Sequence, residues 1–271
     1  MKSYIPHSLI IDIKYRLLRF LLFSIGSLPF SLRLLIGRIL GLTLFAIMPK
    51  IREVAKTNIS IAFSNSSRSE RQDILYNHFI NLGLSIVELA QLWTWKKTRA
   101  LSLIKEVHGD HVLSDAIAEN HGVILYTAHV GAWEAAVLWI SSRWNISVLY
   151  KDTKDEAVNK LLTTGRGRAG ATLIPKSAGL RPLLTTLKDG GLIGILPDQN
   201  VSCNEGIFAP FFGRLACTTT LVPRLARRFG SPVISVFCVR LPDCNGLSLY
   251  FTRVPMADNI SDYEGVSLMN I

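Results

Sequence analysis

The spacing of apolar residues changes near residue 100, from a helical period to short apolar runs. Between Ser67 and about Leu92 the apolar positions recur at helical spacing, which predicts one long helix. Ser67-Arg-Ser-Glu70 has the pattern of a capping box, so the helix is expected to begin there. Glu88 lies close to the apolar stripe, and we interpret it as a carboxylate on the helix surface.

Beyond residue 100, runs of strand length alternate with helical stretches. The predicted strands are Val123–Ala128, Ile146–Tyr150, Thr172–Ile174, Leu192–Leu196, Val233–Arg240 and Leu247–Val254. The predicted helices are Trp133–Ser142, Glu156–Thr164, Leu180–Lys188 and Thr219–Phe229. This alternation predicts an α/β fold with a mostly parallel central sheet flanked by helices. After the last strand no closing helix is expected, and the C-terminal end of the domain is interpreted as incomplete.

The first fifty residues are the most apolar part of the chain and are interrupted by arginines. Phe20 to Leu32 is an apolar run, but Arg19, Arg33 and Arg38 keep it below the ~20 residues of a clean membrane span. A basic start before an apolar stretch also fits a signal peptide, although no small-residue cleavage site follows. We therefore predict a retained, tilted or interfacial membrane anchor over residues 1–50 and a catalytic domain over residues 51–271.

The positive charge of the chain supports a membrane partner. The net charge is +10, and residues 1–52 carry eight basic side chains against one acidic side chain. A nucleic-acid-binding protein usually distributes its basic residues over the body that holds the polymer, so nucleic acid is not an expected partner. The excess on the apolar segment indicates an anionic lipid surface, and the positive-inside rule places the body in the cytoplasm. The four cysteines lack metal-ligand spacing, so no metal and no cofactor are predicted.

His129 follows a predicted strand at the position where α/β proteins bind ligands. The strand Val123–Ala128 ends just before it, and a turn containing Gly131 leads into a helix near Trp133. A histidine there can remove a proton from a hydroxyl group as a general base. Glu134 is close enough after the turn to accept a hydrogen bond from the other ring nitrogen and orient the imidazole. The alternative is structural, with His129 ending the strand and Glu134 complementing the helix N-terminus.

Arg166, Arg168 and Asp198 are further candidate site residues. The two arginines lie in Gly165-Arg-Gly-Arg-Ala-Gly170, which matches G-x-G-x-x-G, but a dinucleotide site needs that motif between a strand and the helix it opens. Here the order is reversed, which argues against a nucleotide. The arginines could bind phosphates, pair with a carboxylate such as Asp198, or be solvated. Asp198 follows a predicted strand, where it supports an arginine or begins a turn.

Several segments together resemble the late acyltransferases of lipid A biosynthesis, within the glycerolipid acyltransferase superfamily. His129-x4-Glu134 matches the His-x4-Asp/Glu signature of that superfamily. The other matching segments are Arg52–Asn58, Ile61–Phe63, Gly83–Glu88, Gly165–Arg168, Leu196–Gln199, Phe208–Gly213 and Thr218–Thr220. The resemblance covers nearly the whole chain. Within it, Phe208, Phe211 and Phe212 predict an aromatic loop that is either a core lid or a wall beside a lipid site.

The resemblance implies a fatty acyl donor carried on acyl carrier protein and a Kdo-bearing lipid A precursor as acceptor, at the bacterial inner membrane. It implies His129 and Glu134 as catalytic residues, with Arg166 or Arg168 and Asp198 supporting the site. Two alternatives remain: an acyltransferase for a lysophospholipid or another glycolipid, and a non-catalytic protein that binds membrane surfaces. A serine hydrolase is disfavoured because the chain contains no G-x-S-x-G motif.

Overall fold

The computed structural model describes residues 6–256 and 259–270. The helices are α1 (His7–Ser27), α2 (Phe30–Ile47), α3 (Pro49–Ala62), α4 (Arg68–Thr94), α5 (Lys97–Leu101), α6 (Asp110–Ala118), α7 (Trp133–Ser141), α8 (Glu156–Gly167), α9 (Arg181–Lys188), α10 (Leu221–Phe229) and α11 (Asp262–Met269). The strands are β1 (Ile104–His108), β2 (Val123–Tyr126), β3 (Ile146–Tyr150), β4 (Thr172–Pro175), β5 (Leu192–Ile195), β6 (Gly206–Phe211), β7 (Arg214–Thr219), β8 (Val233–Arg240) and β9 (Leu247–Val254).

The central sheet has the order β1-β9-β8-β2-β5-β3-β4. Strands β8, β2, β5, β3 and β4 are parallel, whereas β9 is antiparallel to β8 and parallel to β1. Alternate side chains of β2 pack into two hydrophobic cores on opposite faces of the sheet. Val123 and Leu125 pack with α7, and Ile124 packs with α9 and α10. The predicted α/β fold with a mostly parallel sheet is confirmed.

The helices α3, α5 and α6 were not predicted from the sequence, and three further elements differ from the expectation. The edge strand β1 was not predicted, because its side chains are only half-buried or exposed and give a weak apolar signal. The segment expected to be an aromatic loop is a two-stranded antiparallel hairpin, β6–β7. The expectation that no helix follows the last strand was wrong. Helix α11 begins at a capping box formed by Ser261 and Glu264, and it buries Val266 and Met269.

The N-terminal helices α1 and α2 both pack on α4. The apolar run predicted from Phe20 to Leu32 is divided at Leu28-Pro29, where α1 ends and α2 begins. Among the described residues, α2 is the one helix long and apolar enough to cross a membrane, judged by length and composition alone. Only Gly37 and Gly41 of this helix are buried by the rest of the protein.

Small residues allow α2 to approach α4 closely. Gly37 and Gly41 are four residues apart and therefore share one face of α2, and Gly83 lies opposite them on α4. A Cβ atom at Gly83 would clash with the backbone of both, lying 2.9 Å from the Gly41 Cα. The close crossing therefore requires glycine on both helices.

A buried ion pair joins α4 to the sheet. Arg240, at the end of β8, donates to both carboxylate oxygens of Glu88, and also to Ser85 and Asn81. Both charged side chains are largely buried. Glu88 is therefore not the surface carboxylate expected from the sequence. The pair lies at the carboxyl edge of the parallel strands, because β8 ends there.

Candidate active site

A cleft of about 950 Å³ opens at the carboxyl ends of β2, β3 and β5. His129 and Pro197 line the cleft, together with Leu162 of α8 and Leu225 of α10. Exposed basic side chains also border the cleft: Lys151, Lys176, Arg224 and Arg228. The mixture of apolar walls and basic side chains suits a ligand with a hydrocarbon part and an anionic part.

His129 and Asp198 meet at this edge because their strands are neighbours. Strand β2 pairs with β5, and the two residues follow the ends of these strands. The Asp198 carboxylate accepts one hydrogen bond from the ring Nδ1 of His129 at 2.8 Å and one from its backbone N–H at 2.9 Å. This contact fixes Nδ1 as the donor and leaves Nε2 free to act as an acceptor. The His129 side chain is 41% exposed and borders the cleft.

The hydrogen bonds from His129 also change the ionisation of its partner. Burial alone would raise the pKa of the Asp198 carboxyl, but the hydrogen bonds from the His129 ring and backbone outweigh it, so the pKa is lowered. Asp198 is therefore an anionic acceptor at neutral pH. Such a carboxylate holds an imidazole in one tautomer and stabilises the cation that forms when Nε2 takes a proton.

A tight turn separates His129 from α7. Gly131 has φ +63°, and a Cβ atom there would meet the carbonyl group of Cys238 at the end of β8. The Ala132 N–H donates to that same carbonyl oxygen at 2.7 Å, which fixes the start of α7. The turn therefore needs glycine both for its left-handed conformation and for its close approach to the sheet.

Trp133 contacts the two charged parts of the site. Its ring packs edge-on against His129, with centroids 5.3 Å apart. The Arg166 guanidinium lies over the same indole, 4.7 Å from the centroid. The indole therefore restricts the His129 ring on one side and the Arg166 side chain on the other.

Glu134 pairs with Arg166 in the interior. Arg166 donates from Nε at 2.9 Å and from Nη2 at 2.6 Å to the Glu134 carboxylate, and the side chains are only 12% and 9% exposed. Burial raises the pKa of the Glu134 carboxyl, while the hydrogen bonds from Arg166 act against that shift. Arg166 also lines the cleft, and its Nη1 is not engaged by Glu134.

Arg168 has a different position from Arg166. Its guanidinium donates to the backbone carbonyl oxygens of Leu92 and Trp95. These carbonyls belong to the last turn of α4 and the residue that caps it. Arg168 therefore holds the C-terminal end of a helix, where carbonyl oxygens lack helical partners.

Two expected pairings are corrected by these contacts. Glu134 was expected to orient His129, and Arg166 was a candidate partner for Asp198, but the structure places Asp198 on His129 and Glu134 on Arg166. Glu134 is buried in the first turn of α7, and its carboxylate contacts Arg166 of α8. Sequence spacing alone could not distinguish these pairings, because all four residues are near the same edge of the sheet.

No group of three or more His, Cys, Asp or Glu side chains is placed to bind a metal ion within the part of the chain that the structure describes. The G-x-G-x-x-G match lies at the C-terminal end of α8 rather than at a helix N-terminus. The site that the geometry defines is therefore a histidine–aspartate pair beside a mostly apolar cleft.

A base of this kind beside an apolar cleft is typical of enzymes that act on lipid hydroxyl groups. The chain belongs to the bacterial lipid A biosynthesis acyltransferase family, whose family model matches residues 6–266. It is therefore an acyltransferase, as the sequence predicted.

Several characterised relatives are similar over most of their length. The lipid A biosynthesis palmitoleoyltransferase of Escherichia coli K12 is 26% identical over 245 residues, which cover 90% of this chain and 79% of that protein. The lauroyltransferase of the same strain is 23% identical, with the same shares covered. The myristoyltransferase is 22% identical over 208 residues, covering 76% of this chain and 64% of that protein. The names of these relatives state three different acyl chains.

Proposed function

We propose that this enzyme transfers a fatty acyl chain from acyl carrier protein to a hydroxyl group of a Kdo-bearing lipid A precursor, at the cytoplasmic face of the inner membrane. The observation that carries the proposal is the His129–Asp198 pair, whose histidine lines the cleft. Family membership and the names of the relatives support lipid A chemistry. The apolar surface of α2 and the basic N-terminal segment support membrane attachment.

In the proposed mechanism the acyl group passes directly from donor to acceptor. His129 Nε2 removes the proton of the acceptor hydroxyl, and the oxygen attacks the carbonyl carbon of the thioester. The C–S bond then breaks, and the leaving thiolate takes the proton back from the imidazolium. Asp198 stabilises the imidazolium through Nδ1. Ser202 and Thr219 also line the cleft. Among the described residues, the His129 ring is hydrogen-bonded to Asp198 and not to either hydroxyl group. The proposed mechanism therefore uses no serine or threonine nucleophile.

Arg166 has a binding role in this proposal, and Glu134 has a positioning role. Glu134 engages Nε and Nη2 of Arg166. Because Arg166 also lines the cleft, we assign its Nη1 to a phosphate oxygen of either substrate. Lysine would not reproduce this arrangement, because an ammonium cannot hold a carboxylate bidentately while presenting a further fixed donor. Arg168 supports the site by holding α4 and has no direct contact with substrate.

The test is acyl transfer by the purified chain, using radiolabelled acyl carrier protein and acceptor embedded in vesicles. His129→Ala should lower kcat by a factor on the order of 10²–10⁴, while the melting temperature falls only modestly, because Asp198 loses the ring N–H but keeps the backbone N–H of residue 129. His121→Ala is the matched control, since His121 is exposed at the opposite edge of the sheet. Near-wild-type turnover of His129→Ala would contradict the mechanism, as would isolation of a covalent acyl-enzyme.

The same assay separates the acceptor classes. Mass spectrometry of the product with Kdo-lipid A precursor, lysophospholipid and a simple glycolipid offered together should show acylation of the first. Preferential acylation of a lysophospholipid would replace the proposed acceptor while leaving the acyl-transfer chemistry intact.

A further inference from the structure

The hairpin β6–β7 presents a cluster of large apolar side chains to solvent. Phe208, Phe211, Phe212 and Leu215 are between 42% and 68% exposed. In the hairpin register Phe208 is opposite Cys217 and Pro210 is opposite Leu215, so these four residues share one face. Phe208, Pro210 and Leu215 are exposed on that face, whereas Cys217, nearer the foot, is buried. A cluster of this kind at the end of a hairpin marks an interaction surface, whereas single exposed apolar residues do not.

The turn of the hairpin keeps an aromatic residue where one is unfavourable. Phe212 and Gly213 are the central residues, with φ +48° and φ +70°. Two positive φ values in a two-residue hairpin turn normally select Asn, Asp or Gly. A bulky residue in this conformation is strained. Phe212 therefore neither favours the turn conformation nor packs in a core. Its exposed ring contacts the ring of Phe211, with centroids 4.6 Å apart, and enlarges the apolar surface at the tip.

The hairpin adjoins the mouth of the catalytic cleft. It follows β5 in the chain and so emerges from the carboxyl edge of the sheet, and residues at its foot, including Val201 and Thr219, line the cleft. The foot of the hairpin therefore borders the cleft, and its two strands carry the exposed tip away from that border.

The start of the N-terminal helix α1 lies at the same edge, on the other side of the cleft. Asp12 and Lys14 pair with Lys160 and Asp155 at the beginning of α8, and α8 begins beyond the carboxyl end of β3. This part of α1 also exposes large apolar side chains: Leu9, Ile10, Ile13 and Leu17. Two exposed apolar elements thus flank the cleft that holds His129.

The charges nearby fit an anionic lipid surface. Arg214 is exposed at the tip, next to the aromatic residues. Lys176 and Arg228 are exposed at the border of the cleft. Apolar side chains with adjacent cations are the pattern of elements that insert shallowly into the interface of a membrane containing acidic lipids.

We propose that the tip of the β6–β7 hairpin inserts into the same leaflet as the N-terminal helices, so that the cleft opens onto the membrane between two points of attachment. The proposal rests on the proposed membrane location but not on the acyl-transfer reaction. The occupant is the lipid bilayer, and neither a second copy of the chain nor another protein segment is required.

The test places a fluorescent probe at the tip of the full chain reconstituted in vesicles of phosphatidylethanolamine with a minority of phosphatidylglycerol. Cys203 and Cys244 are replaced by serine, because they are the free cysteines that are not buried. Leu215→Cys then carries an environment-sensitive dye at the tip. Lys188→Cys is the matched control, exposed at the amino edge of the sheet near the start of β5.

Insertion predicts opposite quenching at the two positions. The dye at position 215 should be quenched by nitroxides attached to shallow lipid acyl positions and protected from aqueous iodide, and the dye at position 188 should show the reverse. Quenching of position 215 by iodide alone would overturn the proposal. Protection from both quenchers would also overturn it, because protein would then cover the tip. This measurement requires no catalysis, so its failure is distinct from failure of the proposed function.

A second variant tests whether insertion matters for access to membrane substrates. Phe212→Asn removes the aromatic ring but suits the positive φ of the turn, so the melting temperature should stay equal or rise. Acylation of vesicle-embedded acceptor should fall on the order of tenfold, while acylation of detergent-dispersed acceptor should be unchanged. Equal loss in both assays, or loss in neither, would contradict a membrane role for the tip.

Discussion

Asp198 binds two N–H groups of the same residue, the backbone and the imidazole ring of His129. One carboxylate thereby fixes both the end of β2 and the orientation of the side chain that follows it. Because the two residues are 69 positions apart in the chain, the contact depends on the pairing of β2 with β5.

The first prediction concerns this carboxylate. Asp198→Asn keeps the shape of the side chain but removes the charge that stabilises the His129 imidazolium. The value of kcat should fall on the order of 10²–10⁴-fold with little change in KM. Steady-state kinetics of the purified variant checks this, and a melting curve controls for folding. A variant that loses stability but keeps kcat would show that Asp198 is only structural.

The second prediction concerns the buried pair of Glu134 and Arg166. Arg166→Leu leaves the Glu134 carboxylate buried without its cation, so unfolding free energy should drop by roughly 3–5 kcal/mol. Adding Glu134→Gln should recover part of the loss, because the stranded charge is removed. Asp198→Asn should recover none of it, since Asp198 pairs with His129. Thermal or denaturant unfolding of the single and double variants measures these differences. Rescue by Asp198→Asn would show that the pairing described above is incorrect.

The third prediction concerns acid stability. The pKa of Asp198 is lowered on folding, because hydrogen bonds from His129 outweigh the effect of burial, so the unfolded chain binds a proton at a higher pH than the folded one. The stability from this group is therefore fully present above its unfolded value of 3.8 and is lost as the pH falls below it, through the folded pKa. Melting temperatures recorded as the pH is lowered through this range should decline less steeply for Asp198→Asn than for the wild type. The exposed Asp189→Asn is the control and should follow the wild-type curve. If the melting temperatures of all three proteins declined equally with falling pH, the lowered pKa of Asp198 would be contradicted.

The fourth prediction concerns the crossing of α2 and α4. Gly83→Ala introduces a Cβ atom into the backbone of α2, which should lower stability by roughly 1–3 kcal/mol. It should also expose the Leu28-Pro29 connection to limited proteolysis, because α2 is pushed away from α4. Gly167→Ala is the matched control, since a Cβ atom there meets nothing within 4 Å. Equal behaviour of the two variants would show that the crossing is looser than described.

The parallel strands and the candidate residues at their ends could be predicted from the sequence, because buried parallel strands are continuous apolar runs. His129 and Asp198 were identified by that logic, each just after such a run. Their mutual contact was not, because it depends on β5 lying next to β2 although β3 and β4 come between them in the chain. Neighbours in a sheet with crossover connections are not neighbours in sequence.

Two other features of the structure, the buried Glu88 and the β6–β7 hairpin, were not predicted from the sequence. Glu88 was assigned to the surface because its partner, Arg240, is 152 residues away. The β6–β7 hairpin was interpreted as a loop because its turn, Phe212-Gly213, lacks the Asn-Gly or Asp-Gly signal of such turns. Side chains exposed on the hairpin also break the expected alternation of buried and exposed positions.

The glycine crossing between α2 and α4 affects how the active site is positioned relative to the membrane in which the acceptor is proposed to lie. Because α4 is also held to the end of β8 by Arg240, direct contacts join the helix proposed to contact lipid to the strands that carry the base. With α2 in the membrane as proposed, these contacts set the height of His129 relative to the membrane plane. A hydroxyl group is then reached only when its depth in the leaflet matches that height, so the fold selects acceptors by the depth of their hydroxyl groups.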